Sequence, residues 1–248
     1  MKKFILLGAA VTLSASAALA AISDAEIIEL YQGITAEGVN VKIAERGKLA
    51  GTNFEQIIVE LSMGDQKQKQ IMFSDGKYLF PDVIDTKARV SHRAKFEEEQ
   101  EKARLASNYH KLATIIKSMD KNKIISLGGN ANKTLYVFTD PHCPYCRQEI
   151  AHVETQLKAA NIKMIFAPIP SHGDEALAKA IAIQKECAGV KSDAAKIAII
   201  KKYFDPKAKA PKDVTKEQIE EERKAVNGIF ATGAINGVPA FIDAADLK

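Results

Sequence analysis

Two cysteines two residues apart, Cys143-Pro144-Tyr145-Cys146, carry the chemistry that this 248-residue chain offers most openly. An apolar run, Thr134-Leu135-Tyr136-Val137-Phe138, precedes them and reads as a buried strand. The segment after them, Arg147 to Ala159, reads as a helix with Ile150, Val153 and Leu157 on one stripe. A C-x-x-C at a strand-to-helix junction suits thiol–disulfide exchange. The first cysteine sits where unpaired backbone N–H groups and the helix dipole stabilise a thiolate, and the second lies one turn on, within reach of its sulfur. Cys143 is the expected attacking thiolate and Cys146 the expected resolving thiol. In such motifs a helix N-terminus lowers a cysteine pKa from about 8.5 to between about 3.5 and 7.5, which stabilises the reduced pair and makes the disulfide a stronger oxidant.

Rival chemistries fit less well. An inert structural disulfide has no need of the strand–motif–helix context. A zinc site needs two further ligands, and Cys187, His92, His110, His142, His152 and His172 show no spacing that supplies them. No metal and no cofactor are expected. His142 adds to thiolate stabilisation if it is charged, and is otherwise a solvated loop residue. Cys187 shares a helical stripe with Ala182, Ile183 and Ala188, and reads as a small buried apolar residue, with a regulatory thiol as the alternative.

The chain opens like an exported protein. Lys2 and Lys3 lead an apolar stretch from Phe4 through Val11, and Ala18-Leu19-Ala20 offers small residues for a signal peptidase, giving residues 1–20 as a signal peptide and Ala21 as the mature N-terminus. The stretch is short for a membrane span, and no later one is suited to crossing a bilayer. A periplasmic location is expected. The formal charge of +4 includes Lys2 and Lys3; without them 33 basic residues face 31 acidic ones, a balance with no nucleic-acid signal. Three cysteines are too few for a disulfide-stapled secreted scaffold, so the pair is chemical rather than structural.

The elements that must position the motif follow from local patterns. Ser23-Asp24-Ala25-Glu26 is a capping box that opens a helix with Ile27, Ile28 and Leu30. Strands are expected at Val39 to Ala44, Gln56 to Leu61 and Gln70 to Phe73, with Ser74-Asp75-Gly76 turning into Lys77 to Phe80. This first region, residues 21–90, is a small α+β unit whose thin core and strand edges favour pairing with a second copy. Residues 91–119 read as one long helix, polar in its first half, with Leu105, Tyr109, Leu112 and Ile116 on a narrow stripe. A spacer between domains is the preferred reading, and a surface helix the other. Residues 120–248 alternate in the α/β manner. Strands are expected at Lys123 to Leu127 and Lys163 to Ala167, helices at Glu175 to Cys187, Ala194 to Phe204 and after Thr215, and a Gly233–Gly237 loop leads through Val238-Pro239 into a last strand ending at Ile242. A β-α-β start, a helical insertion and Val-Pro before a strand are thioredoxin-like in outline.

Val137-Phe138-Thr139-Asp140 leading into Cys143-Pro144-Tyr145-Cys146 closely resembles the DsbC/DsbG family of periplasmic thiol–disulfide interchange proteins, over nearly the whole mature chain. The tetrapeptide is most similar to the DsbG branch. The resemblance implies a cystatin-like N-terminal dimerisation domain, a linker helix, and a thioredoxin-like catalytic domain with a helical insertion, assembled as a V-shaped homodimer with its two motifs facing a cleft. It further implies that Pro239 is cis, although a bare Val-Pro dipeptide is more often an ordinary trans turn. A cis bond there would leave the Val238 backbone free to pair with an extended substrate. His142, Pro144 and Tyr145 join Val238 and Pro239 as the implied substrate contacts.

Three departures stand out. Val238 occupies the position where the family has Thr, as in the DsbA oxidases. Cys187 has no fourth cysteine to pair with, and the closing strand and helix of a thioredoxin fold are expected to be missing before Lys248. The expected function is isomerisation or reduction of non-native disulfides in unfolded or misoxidised exported proteins, with recycling by a membrane redox partner of the DsbD or DsbB type. The alternatives are a dimeric DsbA-like oxidase and a periplasmic chaperone with secondary redox activity.

Overall fold

The computed structural model describes residues 22–64 and 66–247, and the expected signal peptide and its cleavage point before Ala21 lie outside the described residues. The chain divides into two compact units, one running through Gln100 and the other from Glu101 onward.

The first unit begins with helix α1 (Asp24–Ile34). Its capping box is complete: the Glu26 N–H donates to Ser23 Oγ at 3.3 Å, and the Ser23 N–H donates to Glu26 Oε2 at 2.8 Å. Ile27 and Tyr31 are buried, whereas Leu30 is exposed, so the apolar stripe of this helix runs through Tyr31. An antiparallel meander follows, β1 (Asn40–Lys48), β2 (Glu55–Met63) and β3 (Gln66–Ser74), with a short β4 (Leu79–Phe80) completing the sheet in the order β1-β2-β3-β4. Its core holds Ile27, Tyr31, Val41, Ile57 and Val59, beside a smaller cluster of Leu49, Ile71 and Phe73. The expected turn at Asp75-Gly76 is present: Gly76 has φ 101°, and Asp75 Oδ1 accepts from the Lys77 and Tyr78 N–H groups at 2.9 Å. Lys77 and Tyr78 stay in that turn, so the strand after it is only two residues long. The strand β3, by contrast, starts four residues before the expected Gln70, because Gln66 to Lys69 are exposed and carry no apolar alternation for a sequence reading to detect. A two-stranded ribbon, β5 (Ile84–Asp85) and β6 (Val90–Ser91), leads into α2 (His92–Ser118).

The second unit holds the back half of α2, whose Leu112, Ala113 and Ile116 are buried. It continues with a 3-10 turn (Lys121–Lys123), β7 (Ile124–Leu127), β8 (Thr134–Thr139), α3 (Pro144–Ala151), α4 (Val153–Gln156), β9 (Asn161–Phe166), a second 3-10 turn (Pro170–His172), α5 (Gly173–Cys187), α6 (Asp193–Phe204), α7 (Lys216–Ala231) and β10 (Ala240–Asp243). The sheet order is β10-β8-β9-β7, with β8 parallel to β9 and the other two pairs antiparallel. Alternation along the strands feeds two cores. Val137, Ile162, Met164 and Phe166 pack with α3, α5 and α6, whereas Phe138 and Ile165 pack with α2 and α7. Phe138 is wholly buried, which stabilises the fold by about 1.5–3 kcal/mol relative to leaving it in water.

The helix expected over Arg147 to Ala159 is broken. It ends at Ala151, where His152 adopts φ −106°, ψ 9°, and a separate four-residue turn of helix closes at Gln156. The His152 N–H reaches back to Glu149 O at 3.0 Å, a tightened last turn that the apolar stripe continues straight across. Among the described residues no helix is long and apolar enough to cross a membrane.

Candidate active site

Parallel pairing of β8 with β9 ends at Thr139–Phe166, and the chain must then turn from strand to helix within four residues. Asp140 makes that turn. Its carbonyl accepts from the Cys143 N–H at 3.1 Å, and its Oδ1 accepts from the His142 N–H at 2.8 Å. Cys143 is the N-cap of α3, and Pro144 fills the first helical position, where a missing N–H costs nothing. The Arg147 N–H closes the first turn onto Cys143 O at 3.0 Å. Cys143 is buried, and its side chain makes no cap bond to its own helix.

What it faces comes from the far end of the domain. The Val238–Pro239 peptide bond is cis, and Cys143 Sγ lies 3.5 Å from Val238 O. Tyr145 is largely exposed beside the pair. Cys146 is 0% exposed; its burial pushes the thiol up to about 12, even though Thr139 Oγ and the Asp140 N–H favour its ionised form. The two cysteines, both buried, differ in place: Cys143 caps α3 and meets the Val238 carbonyl, whereas burial of Cys146 one turn on favours its neutral thiol. Both are thiols in the structure, as is Cys187.

His142 is half-buried. Desolvation, helped by the Lys179 cation, holds its imidazole below the usual range, which disfavours the charged form needed to assist the thiolate. Its Nε2 is buried and has no hydrogen-bond partner. Cys187 is buried in the core shared with Cys143 and Cys146, and burial pushes its thiol up to about 11, as a packing role requires. Among the described residues no group of three or more His, Cys, Asp or Glu side chains is placed to hold a metal ion.

Three residues of the site carried no role in the sequence reading. Asp140 is wholly buried, and its Oδ2 meets His172 Nδ1 at 2.6 Å and accepts from the Ile169 N–H at 3.0 Å. His172 is 32 residues away along the chain, so only the fold reveals the pairing. Arg147 is likewise placed by the fold, donating from Nε to Phe204 O at the end of α6.

Residues 121–243 match the family model of the thioredoxin-like domain. Helicobacter pylori DsbG is similar to the chain in structure, with 22% sequence identity and a TM-score of 0.53 over 88% of this chain and 98% of that one. Two further structures overlap more loosely. A Proteus mirabilis ScsC variant with a linker deletion has 18% identity over 61% of this chain and 79% of that one, at a TM-score of 0.41. The disulfide exchange protein alpha-DsbA2 of Wolbachia pipientis has 14% identity over 57% and 87%, at 0.40. The comparison with curated proteins found no match. The second unit is a thioredoxin-like domain, and the likeness to DsbG is one of fold. With a dithiol at the N-terminus of the helix after its central strand, the protein is a thiol–disulfide oxidoreductase.

Proposed function

We propose that this protein is an exported, periplasmic thiol–disulfide interchange protein that acts as a homodimer on unfolded or misoxidised exported proteins, isomerising or reducing their disulfides. The asymmetry between Cys143 and Cys146 carries the reading. The Cys143 thiolate attacks one sulfur of a substrate disulfide, forming a mixed disulfide and releasing the other substrate sulfur as a thiolate. If that thiolate attacks elsewhere in the substrate and the last exchange expels Cys143, the disulfide has moved and no electrons are gained or lost. If Cys146 instead gives up its proton and attacks the Cys143 sulfur, the substrate leaves with two thiols and the enzyme holds the Cys143–Cys146 disulfide. A membrane redox partner of the DsbD type would then return it to the dithiol. His142, Pro144, Tyr145, Val238 and Pro239 would contact the substrate, with the Val238 backbone offering strand-like pairing. The first unit would be the cystatin-like dimerisation domain, with α2 as its linker.

One observation favours a second reading. A valine before Pro239 presents no hydroxyl to the sulfur or to a bound strand, and suits net oxidation, in which the disulfide is donated to substrates and restored by a partner of the DsbB type. Acid trapping of cells followed by thiol alkylation separates the two. A mostly reduced Cys143–Cys146 pair supports the isomerase or reductase, and a mostly oxidised pair supports the oxidase.

A further inference from the structure

Asp140 bears on both cysteines through its backbone. Its carbonyl accepts from the Cys143 N–H at 3.1 Å, and its own N–H favours the ionised form of the Cys146 sulfur. A shift of this residue therefore disturbs the surroundings of both sulfurs. Its carboxylate is wholly buried, a placement that costs several kcal/mol unless hydrogen bonds satisfy it. Three donors do so: the His142 N–H at 2.8 Å, the Ile169 N–H at 3.0 Å and His172 Nδ1 at 2.6 Å. Two of these are main chain and belong to the loops after β8 and β9. The third is the one side-chain donor among them, and His172 is itself partly exposed at the end of the 3-10 turn. The backbone of the same histidine is held in the 3-10 turn, its N–H donating to Ile169 O at 3.0 Å. Its ring lies 6.3 Å from that of His142, and Glu175 and Lys179 of α5 complete the charged surroundings of His142 on this side of the motif.

We propose that His172 is a positioning residue for the redox pair: by donating to the buried Asp140 carboxylate it fixes the loop that sets the geometry of Cys143 and Cys146. The inference rests on the thiol–disulfide reading of the site. Without the His172 donor, the carboxylate keeps only two backbone N–H groups, and water or a shifted loop must supply the rest. Cys143 then loses its fixed place at the N-cap, and Cys146 loses part of what favours its thiolate during resolution.

The test uses the purified protein as wild type, H172A, H172Q, D140N and D140N/H172A. Two quantities are read that need no protein substrate: the alkylation rate of Cys143 in the reduced form, and the equilibrium constant with glutathione. In that equilibrium the reduced enzyme and oxidised glutathione give the enzyme disulfide and two reduced glutathiones. H172A should change both quantities by about threefold or more, whereas H172Q, which keeps a side-chain donor, should stay within about twofold of wild type. In the D140N background H172A should add nothing, because the residue acts through Asp140. An H172A protein indistinguishable from wild type, an H172Q protein displaced as far as H172A, or an undiminished H172A effect in the D140N background each overturns the proposal. If the D140N proteins do not fold, the contrast between H172A and H172Q still decides it. A wild type that fails to exchange with glutathione sinks the functional reading itself, whereas a wild type that exchanges normally beside an unaltered H172A sinks only the role of His172.

Discussion

The sulfur of Cys143 lies 3.5 Å from the carbonyl oxygen of Val238, 95 residues further along the chain. One belongs to the N-cap of α3 and the other to the loop entering β10, so the sheet must form before the site exists. Because β10 pairs with β8, placing Ala240 opposite Phe138, the loop carrying Val238 is delivered to the end of β8 from which Asp140 and Cys143 emerge.

The buried Cys146 thiol makes the stability of the reduced protein fall as pH rises. Its folded pKa is raised from 9.0 to about 12, so between those values the unfolded chain has lost a proton that the folded chain keeps. Stability conferred by the neutral buried thiol is complete below about 9 and is lost on the way to 12, by at most about 1.4 kcal/mol per pH unit. Cys187, at about 11, contributes the same sign in both redox states. Urea denaturation at pH 8 and pH 10 should show a steeper loss for the reduced than for the oxidised protein, which has no Cys146 thiol to titrate. Equal losses would contradict the burial argument.

Lys123 should matter to the fold more than its partly exposed side chain suggests. Its Nζ meets Glu222 Oε2 at 2.8 Å, and the other carboxylate oxygen accepts from Gln184 Nε2 at 2.9 Å, joining the start of β7 to α7 and α5. Lys123→Ala leaves a buried carboxylate without its cation, a loss toward the lower end of about 3–5 kcal/mol. Replacing both charges with Lys123→Met and Glu222→Met should restore much of it. Urea midpoints of the single and double variants give the measurement.

Val238→Thr adds a hydroxyl beside a carbonyl already in contact with the active sulfur. The mixed-disulfide complex should last longer, and isomerisation should rise relative to oxidation. Refolding of scrambled ribonuclease and oxidation of reduced ribonuclease, measured with both proteins, should show the shift; an unchanged ratio means this position does not set the activity.

The first unit exposes Leu30, Ile34, Met63 and Tyr78 around a modest core, a composition suited to a partner surface. The mature protein should sediment as a dimer at micromolar concentration. A form starting near Glu101, where the second unit begins, should be a monomer that still reduces disulfides but isomerises poorly.

How much of this was legible depended on whether the signal was local. The capping box at Ser23, the turn at Asp75-Gly76 and the strand–motif–helix arrangement around Cys143 are each written within a few residues, and each is present. The cis bond before Pro239 was legible only through family resemblance, because a lone Val-Pro favours trans. The front of β3 escaped because exposed Gln and Lys residues pair as well as apolar ones when the partner strand supplies the core. The break at His152 escaped because the apolar stripe runs on through Val153. The pairing of Asp140 with His172 could not be read at all, since it joins two loops that only the parallel β8–β9 pair brings together.

The central claim is that Cys143 attacks and Cys146 resolves. Cys143→Ser should abolish insulin reduction and form no mixed disulfides. Cys146→Ser should accumulate covalent complexes with exported proteins, visible on non-reducing gels, dissolved by dithiothreitol and mapped by mass spectrometry to Cys143. Complexes that form through Cys146 in the Cys143→Ser protein, or their absence from the Cys146→Ser protein, would contradict the account.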